Sequence, residues 1–152
     1  MHRYSRPRQR KGATVVECAI VYPVVFLLML GLIIGGMGIF RYQETASIAR
    51  EAAGYASTHG ANYRKDAGLP TGTSRDWTTD IYNNAISANM VSLDPNYLTY
   101  SVSWPDIINL PGKPDNWPGS SVTVTITYQW FPELYLVGPL NLTSMSSMPI
   151  TN

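Results

Sequence analysis

One run of 23 residues without a charged side chain, from Cys18 to Phe40, constrains this chain more than any other feature. As an α-helix it would be roughly 35 Å long, which is enough to cross the ~30 Å hydrocarbon core of a membrane. The run therefore predicts a single transmembrane helix. Because the only cysteine lies inside it, the rest of the chain cannot form an intramolecular disulfide.

The residues before the apolar run form a basic leader, residues 1–12. They contain five Arg and Lys residues and no Asp or Glu, a local charge of +5. The remaining six basic residues stand against ten acids, so the chain beyond the leader carries −4. By the positive-inside rule the leader stays in the cytoplasm and the C-terminal part is exported. This asymmetry favours membrane orientation over the alternative of a basic arm that binds DNA, so we expect no nucleic-acid partner.

At the edge of the run, Gly12 is followed by small and apolar residues and then by Glu17. The spacing resembles a prepilin-type signal, which implies that a membrane-embedded prepilin peptidase cuts between Gly12 and Ala13 and leaves the helix attached. The resemblance also implies that Glu17 pairs with the new amino group of Ala13, on a neighbouring subunit or in its own chain. The alternative is that Glu17 lies at headgroup depth and faces water.

Three further residues of the run bear on helix packing. Pro23 removes one backbone hydrogen bond and predicts a gentle kink. Gly31 and Gly35 form a GxxxG pair, which predicts a face that a second helix can approach closely. An equally weighted alternative is that glycine is simply common in membrane helices.

Beyond Phe40 the pattern predicts that the helix continues as an amphipathic helix and ends near Gly60. Alanines recur at three- and four-residue steps, which suits docking at short distance onto a sheet or a sister helix. These are Ala46, Ala49, Ala53 and Ala56.

Together these features resemble the TadE-like family of tight-adherence pilus systems. The likeness rests on the leader, Gly12, Glu17, Pro23 and the Ala-Arg-Glu-Ala-Ala patch at 49–53. It implies a minor pilin-like subunit, or pseudopilin, of the apparatus that builds Flp-type fibres, with other pilins or minor pilins as partners. Major Flp pilins typically carry Tyr after the Glu, whereas this chain carries Cys18. That departure and the sizeable exported part favour a minor component.

The exported part, residues 60–152, predicts one small α+β domain. We expect a loop at 60–74, then a short helix whose buried face carries Trp77, Ile81, Ala85 and Ala88. Alternation predicts strands at 97–104, 120–130 and 141–148, the last with Leu140, Leu142 and Met145 on its apolar face. The Pro-rich segment 105–119 is the predicted contact loop. The likeness to the family implies similar C-terminal strands.

The predicted architecture is pilin-like: an N-terminal transmembrane helix that continues into an amphipathic helix and packs on a small antiparallel sheet. The predicted divisions are the leader 1–12, the helix 13–59 and the extracytoplasmic domain 60–152. The bacterial inner membrane is the expected location, with a single pass and a cytoplasmic N-terminus.

Catalytic motifs and metal-ligand spacings are missing from the sequence, so we expect neither enzymatic activity nor a cofactor. His2 and His59 lie on opposite sides of the predicted span. Asp76 and Asp80 could face a cation, but carboxylates at a helix N-terminus are more often stabilised by the helix dipole. Ten Tyr and four Trp could form a stacking platform, although filling a small sheet is the stronger expectation. The alternative function is a signal-anchored binding or adhesin module that never enters a fibre.

Overall fold

A computed structural model describes residues 11–69, 74–105, 117–132 and 138–151. The chain divides into two compact units, Met1–Met37 and Gly38–Asn152. The described helices and strands give the predicted α+β class. They are α1 (Lys11–Thr58), α2 (Ala61–Asp66), α3 (Ser74–Ile81), β1 (Leu98–Ser103), β2 (Ser121–Trp130) and β3 (Leu140–Pro149), with a π-helical turn at Tyr82–Ile86 and 3₁₀ turns at Ser87–Asn89 and Pro95–Tyr97.

The first unit contains the N-terminal part of α1, which is apolar around its whole circumference. A helix of this composition is stable only when its surface is covered, by a protein core or by lipid. Within the described chain most of its large side chains are exposed, with Leu32 at 80% and Leu28 at 69%. The predicted span is therefore a helix long and apolar enough to cross a membrane.

In the second unit the C-terminal part of α1 packs on one face of the sheet. Three alanines of the predicted stripe, Ala49, Ala53 and Ala56, are buried, whereas Ala46 is half-buried. The stripe therefore faces the protein interior, together with Ala52. At the far end of the helix the Thr151 amide donates to the Ser57 carbonyl at 3.0 Å. A Cβ on Gly54 would lie 3.9 Å from the Met148 sulfur, which is ordinary contact. Small side chains allow this close approach.

The sheet is antiparallel with the order β1-β2-β3, so β2 is central. Its β-branched alternation places one set of side chains inside and Thr123, Thr125 and Thr127 on the outer face. The buried set is Val122, Val124, Ile126, Tyr128 and Trp130. All three predicted strands are confirmed to within two residues at each end.

One assignment on β3 is wrong. Met145 is 70% exposed, although we expected it on the apolar face with Leu142. The side chains of a strand alternate with period two, so residues 142 and 145 must lie on opposite faces. Ser144 and Ser146 occupy the half-buried positions instead.

Two assignments around α2 and α3 also differ from expectation. The predicted loop 60–74 contains helix α2, because residues 61–66 have no Gly or Pro and Arg64 is buried. After α3 the π-helical turn advances the buried face by one residue, so Ile86 is buried and Ala88 is exposed. Most of the predicted contact loop, residues 106–116, lies outside the described residues.

Candidate functional site

The predicted processing junction lies among the first described residues of α1. Gly12 is helical and exposed. Most of the leader and the side chain of Ala13 lie outside the described residues. Cleavage there stays a prediction.

Glu17 and Gly35 occupy the same face of α1. They are 18 residues apart, which is five complete helical turns. Gly31, four residues before Gly35, lies about 40° away on the same side of the helix. Glu17 is exposed and makes no hydrogen bond or ion pair with the other residues that the structure describes. One face of the apolar helix thus carries both its only carboxylate before Phe40 and its GxxxG pair.

The glycine positions are open. A Cβ atom on Gly31, Gly35 or Gly36 would meet no atom within 4 Å. Pro23 lies inside the helix and is exposed. Nothing in the described part of the unit covers this face, so the predicted helix packing stays a prediction.

Sequence reasoning missed a polar cluster that follows the apolar run. Arg41 Nη1 donates to the Ser92 carbonyl at 3.1 Å and to the Tyr128 hydroxyl at 3.3 Å. Glu44 accepts from the amides of Val91 and Ser92, each at 2.8 Å, and from the Ser92 hydroxyl. We call these five residues the polar junction. Its hydrogen bonds connect residues 91–92 to the part of α1 that directly follows the predicted span.

The electrostatics of the polar junction favour the ionised carboxylate. Partial burial alone would raise the pKa of Glu44, but the Ser92 hydroxyl and the amides of Ser92 and Val91 act in the opposite direction, together with Arg41. The net pKa of Glu44 is lowered. The sequence offers no local signal for this contact, since its two sides are 47 and 48 residues apart.

The second unit also contains a pocket of about 170 Å³, which we call the aromatic pocket. Five rings contribute to its wall, and Asp80 and Asn84 supply polar groups. The rings are those of Tyr55, His59, Tyr63, Trp77 and Trp104. The stronger expectation, that aromatic residues fill the sheet, holds for Tyr128 and Trp130, which are buried in the core. The alternative, a stacking platform, stays a prediction for the rings of this pocket.

Asp80 is engaged in an ion pair with Arg64. The guanidinium is nearly buried, at 7% side-chain exposure, and its Cζ lies 4.6 Å from the centroid of the Trp77 ring. The side chain of Asp76 lies outside the described residues. Within the described part of the chain, no group of three or more His, Cys, Asp or Glu could hold a metal ion.

The family model described as TadE-like protein matches residues 12–54. This segment is TadE-like. The match includes Gly12, Glu17, Pro23 and the GxxxG pair, and it confirms the resemblance predicted from these residues. It also includes Arg41 and Glu44, so the α1 side of the polar junction belongs to the TadE-like segment.

The TadE-like match ends at residue 54, before α2 and the sheet. The expected likeness of the C-terminal strands to the family therefore lies outside the matched segment. No curated protein and no solved structure matches this chain.

Proposed function

We propose that this protein is a minor pilin-like subunit, a pseudopilin, that takes part in assembling a tight-adherence pilus or secretion system of the Flp type. The observation that carries the proposal is the face of α1 shared by Glu17, Gly31 and Gly35 within the TadE-like segment. A subunit built to pack against its neighbours in a membrane needs a close-approach surface and a polar group that fixes register.

The proposal places the chain in the bacterial inner membrane. The leader stays cytoplasmic because its charge of +5 opposes translocation, and residues 60–152 lie outside the cytoplasm. A prepilin-type peptidase then cleaves between Gly12 and Ala13. The product begins with a free ammonium group at Ala13, and Glu17 is its fifth residue.

Glu17 supplies the charge that this new ammonium requires. A charged side chain at the centre of a membrane-spanning helix costs about 2.5–3.5 kcal/mol, and Glu17 at the edge of the span bears part of that cost. An opposite charge on an adjacent subunit offsets that cost, since the attraction is stronger where water is scarce. The pairing would fix the axial offset between neighbouring helices, while Gly31 and Gly35 allow the backbones to approach.

We propose that this assembly role is structural and involves no enzymatic activity. The alternative is an anchored binding module that never enters a fibre. The aromatic pocket favours that alternative, since a pure packing subunit has no need of a lined cavity.

The test is the Glu17→Gln variant expressed in the native host. Glutamine keeps the size and hydrogen-bonding capacity but removes the charge, so insertion and cleavage should be unchanged. Co-purification with the major pilin or with other minor pilins should fall sharply, because loss of one partner of a buried pair costs several kcal/mol. Glu51→Gln, an exposed glutamate beyond the apolar run, is the matched control.

Intact mass of each sample reports whether residues 1–12 have been removed. Cleaved Glu17→Gln that co-purifies as well as the wild type would refute the assembly role of Glu17 and favour the anchored module.

A further inference from the structure

The aromatic pocket combines free ring faces with hydrogen-bonding groups of both kinds. The rings of Tyr55 and His59 are stacked, with centroids 3.9 Å apart and planes 12° apart, so each covers one face of the other. Trp77 has the Arg64 guanidinium over one face. Tyr63 makes a T-shaped contact with His59 and is 38% exposed.

Tyr63 and Trp104 are thus the rings best placed to receive a ligand. Neither has a stacked ring or a guanidinium over it among the described residues, and Trp104 is half-buried at the wall of the pocket. A ligand with an apolar face can stack there, since the flat faces of Tyr and Trp bury large area at low entropic cost.

The polar side of the pocket is made by three groups. The Tyr55 hydroxyl, the Asp80 carboxylate and the Asn84 amide belong to residues that line the same pocket. Asn84 Nδ2 also donates to the Asp80 carbonyl at 2.9 Å. A carboxylate accepts hydrogen bonds, whereas an amide and a phenol both donate and accept. Such a set is complementary to hydroxyl groups, which also do both.

The charged side chains around the pocket disfavour a cationic ligand. An aromatic cage around a carboxylate would ordinarily attract ammonium groups. Here Arg64 already neutralises Asp80 and lies over Trp77, so a second cation would enter beside a nearly buried guanidinium. A neutral ligand meets no such repulsion.

The volume of the pocket limits the size of the ligand. Pockets for drug-sized molecules measure roughly 300–1,000 Å³, and this one measures about 170 Å³. It has room for one six-membered ring. An apolar side chain of a partner protein would fill the volume but would leave the polar groups of Tyr55, Asp80 and Asn84 without new hydrogen bonds.

We propose that the aromatic pocket binds a single neutral pyranose ring of a carbohydrate, stacked on Tyr63 and Trp104 and hydrogen-bonded by Asp80, Asn84 and Tyr55. The ring could be a terminal residue or one unit of a longer glycan. This inference does not depend on whether the chain enters a fibre, because the pocket lies entirely in the second unit.

The experiment uses the full chain in lipid nanodiscs of phosphatidylethanolamine and phosphatidylglycerol, so that no sugar-headed detergent competes. Saturation-transfer NMR is recorded with the methyl glycosides of glucose, galactose, mannose and N-acetylglucosamine. We expect at least one glycoside to bind and to show transfer to its ring protons. Tyr63→Ala and Trp104→Ala should each weaken that binding by about tenfold, the usual effect of losing one stacking ring.

Tyr42→Ala is the matched control, because Tyr42 is an exposed tyrosine of α1 outside the pocket, and it should bind as the wild type does. Circular dichroism confirms that each variant is folded, and two pocket variants are made so that an unfolded one does not end the test. The proposal is overturned if no glycoside of the panel binds, or if binding survives in a folded pocket variant. Preferential binding of tetramethylammonium or N-acetyltyrosinamide would also overturn it, in favour of a cation or a protein side chain.

Discussion

A Cβ atom placed on Gly38 would lie 2.6 Å from Cζ3 of Trp130 and 3.0 Å from its Cη2. Real Cβ atoms do not approach other atoms so closely, so the indole ring occupies the space that a side chain at position 38 would need. Trp130 is only 5% exposed at the end of the central strand. The glycine is therefore required for the contact between the first turn of the second unit and the sheet.

Gly38→Ala should destabilise the second unit by about 1–3 kcal/mol, the usual cost of overpacking a core. Gly54→Ala is the matched control on the same helix, since its Cβ would make an ordinary contact at 3.9 Å with Met148. Because alanine favours helix over glycine, the control should be stabilised by about 0.5–1 kcal/mol. Denaturant unfolding followed by tryptophan fluorescence measures both. Equal stability of the two variants would contradict the role of Gly38.

The polar junction should make stability depend on pH. The folded-state pKa of Glu44 lies below its ordinary value of 4.5, so its stabilising effect is present above that pH and is lost as the pH falls through the folded pKa. Glu44→Gln should lower the free energy of unfolding by about 1 kcal/mol at neutral pH, a small value because water reaches the site. The difference between variant and wild type should shrink in acid.

Unfolding curves at neutral and acid pH, with Glu51→Gln as an exposed control, measure this difference. A Glu44→Gln deficit that stays constant with pH would show that charge is not involved.

Removing Asp80 from its ion pair with Arg64 should destabilise the protein more than removing Arg64. Asp80→Asn leaves a nearly buried guanidinium without its counterion and should cost roughly 2 kcal/mol, less than for a fully buried pair because Asp80 is 41% exposed. Arg64→Met removes the buried charge and keeps apolar contact with Trp77, so it should cost less. Thermal unfolding of the two variants tests the order, and a larger loss in Arg64→Met would reverse the argument.

Processing should depend on the absence of a side chain at Gly12. Glycine can lie extended in a narrow protease cleft where leucine would clash, so Gly12→Leu should remain uncleaved. Intact mass of the membrane-extracted protein from the native host provides the measurement. Removal of residues 1–12 from Gly12→Leu at the wild-type rate would mean that the junction has been misread.

Local periodicity accounts for what the sequence could predict. The charge-free run, the alanine steps and the alternation of Val122, Val124 and Ile126 each specify an element within a few turns or a few residues of chain. These signals were sufficient to predict α1 and all three strands. They also indicated the family whose model matches residues 12–54.

The missed features depend on contacts between distant residues. Glu44 and Ser92 are 48 positions apart, and nothing near either residue indicates its partner. In the sequence Arg64 lies in a predicted loop, and its ion pair with Asp80, 16 residues later, is visible only in the folded chain. The π-helical turn also changes which side chain is buried, and its sequence contains no glycine or proline that would indicate it.

The bond between Thr151 and Ser57 has a mechanical consequence. Gly38, beside Trp130, and Ser57, beside Thr151, are 19 residues apart, which is roughly 28 Å along the helix axis. Trp130 at the end of β2 lies beside Gly38, and Met148 near the end of β3 lies beside Gly54, so a force applied between Gly38 and Thr151 pulls along the strands. Such a load would shear the hydrogen bonds between β2 and β3 together, whereas a load across the sheet would break them one at a time. We therefore expect the second unit to resist a force along β2 and β3 better than a force across them.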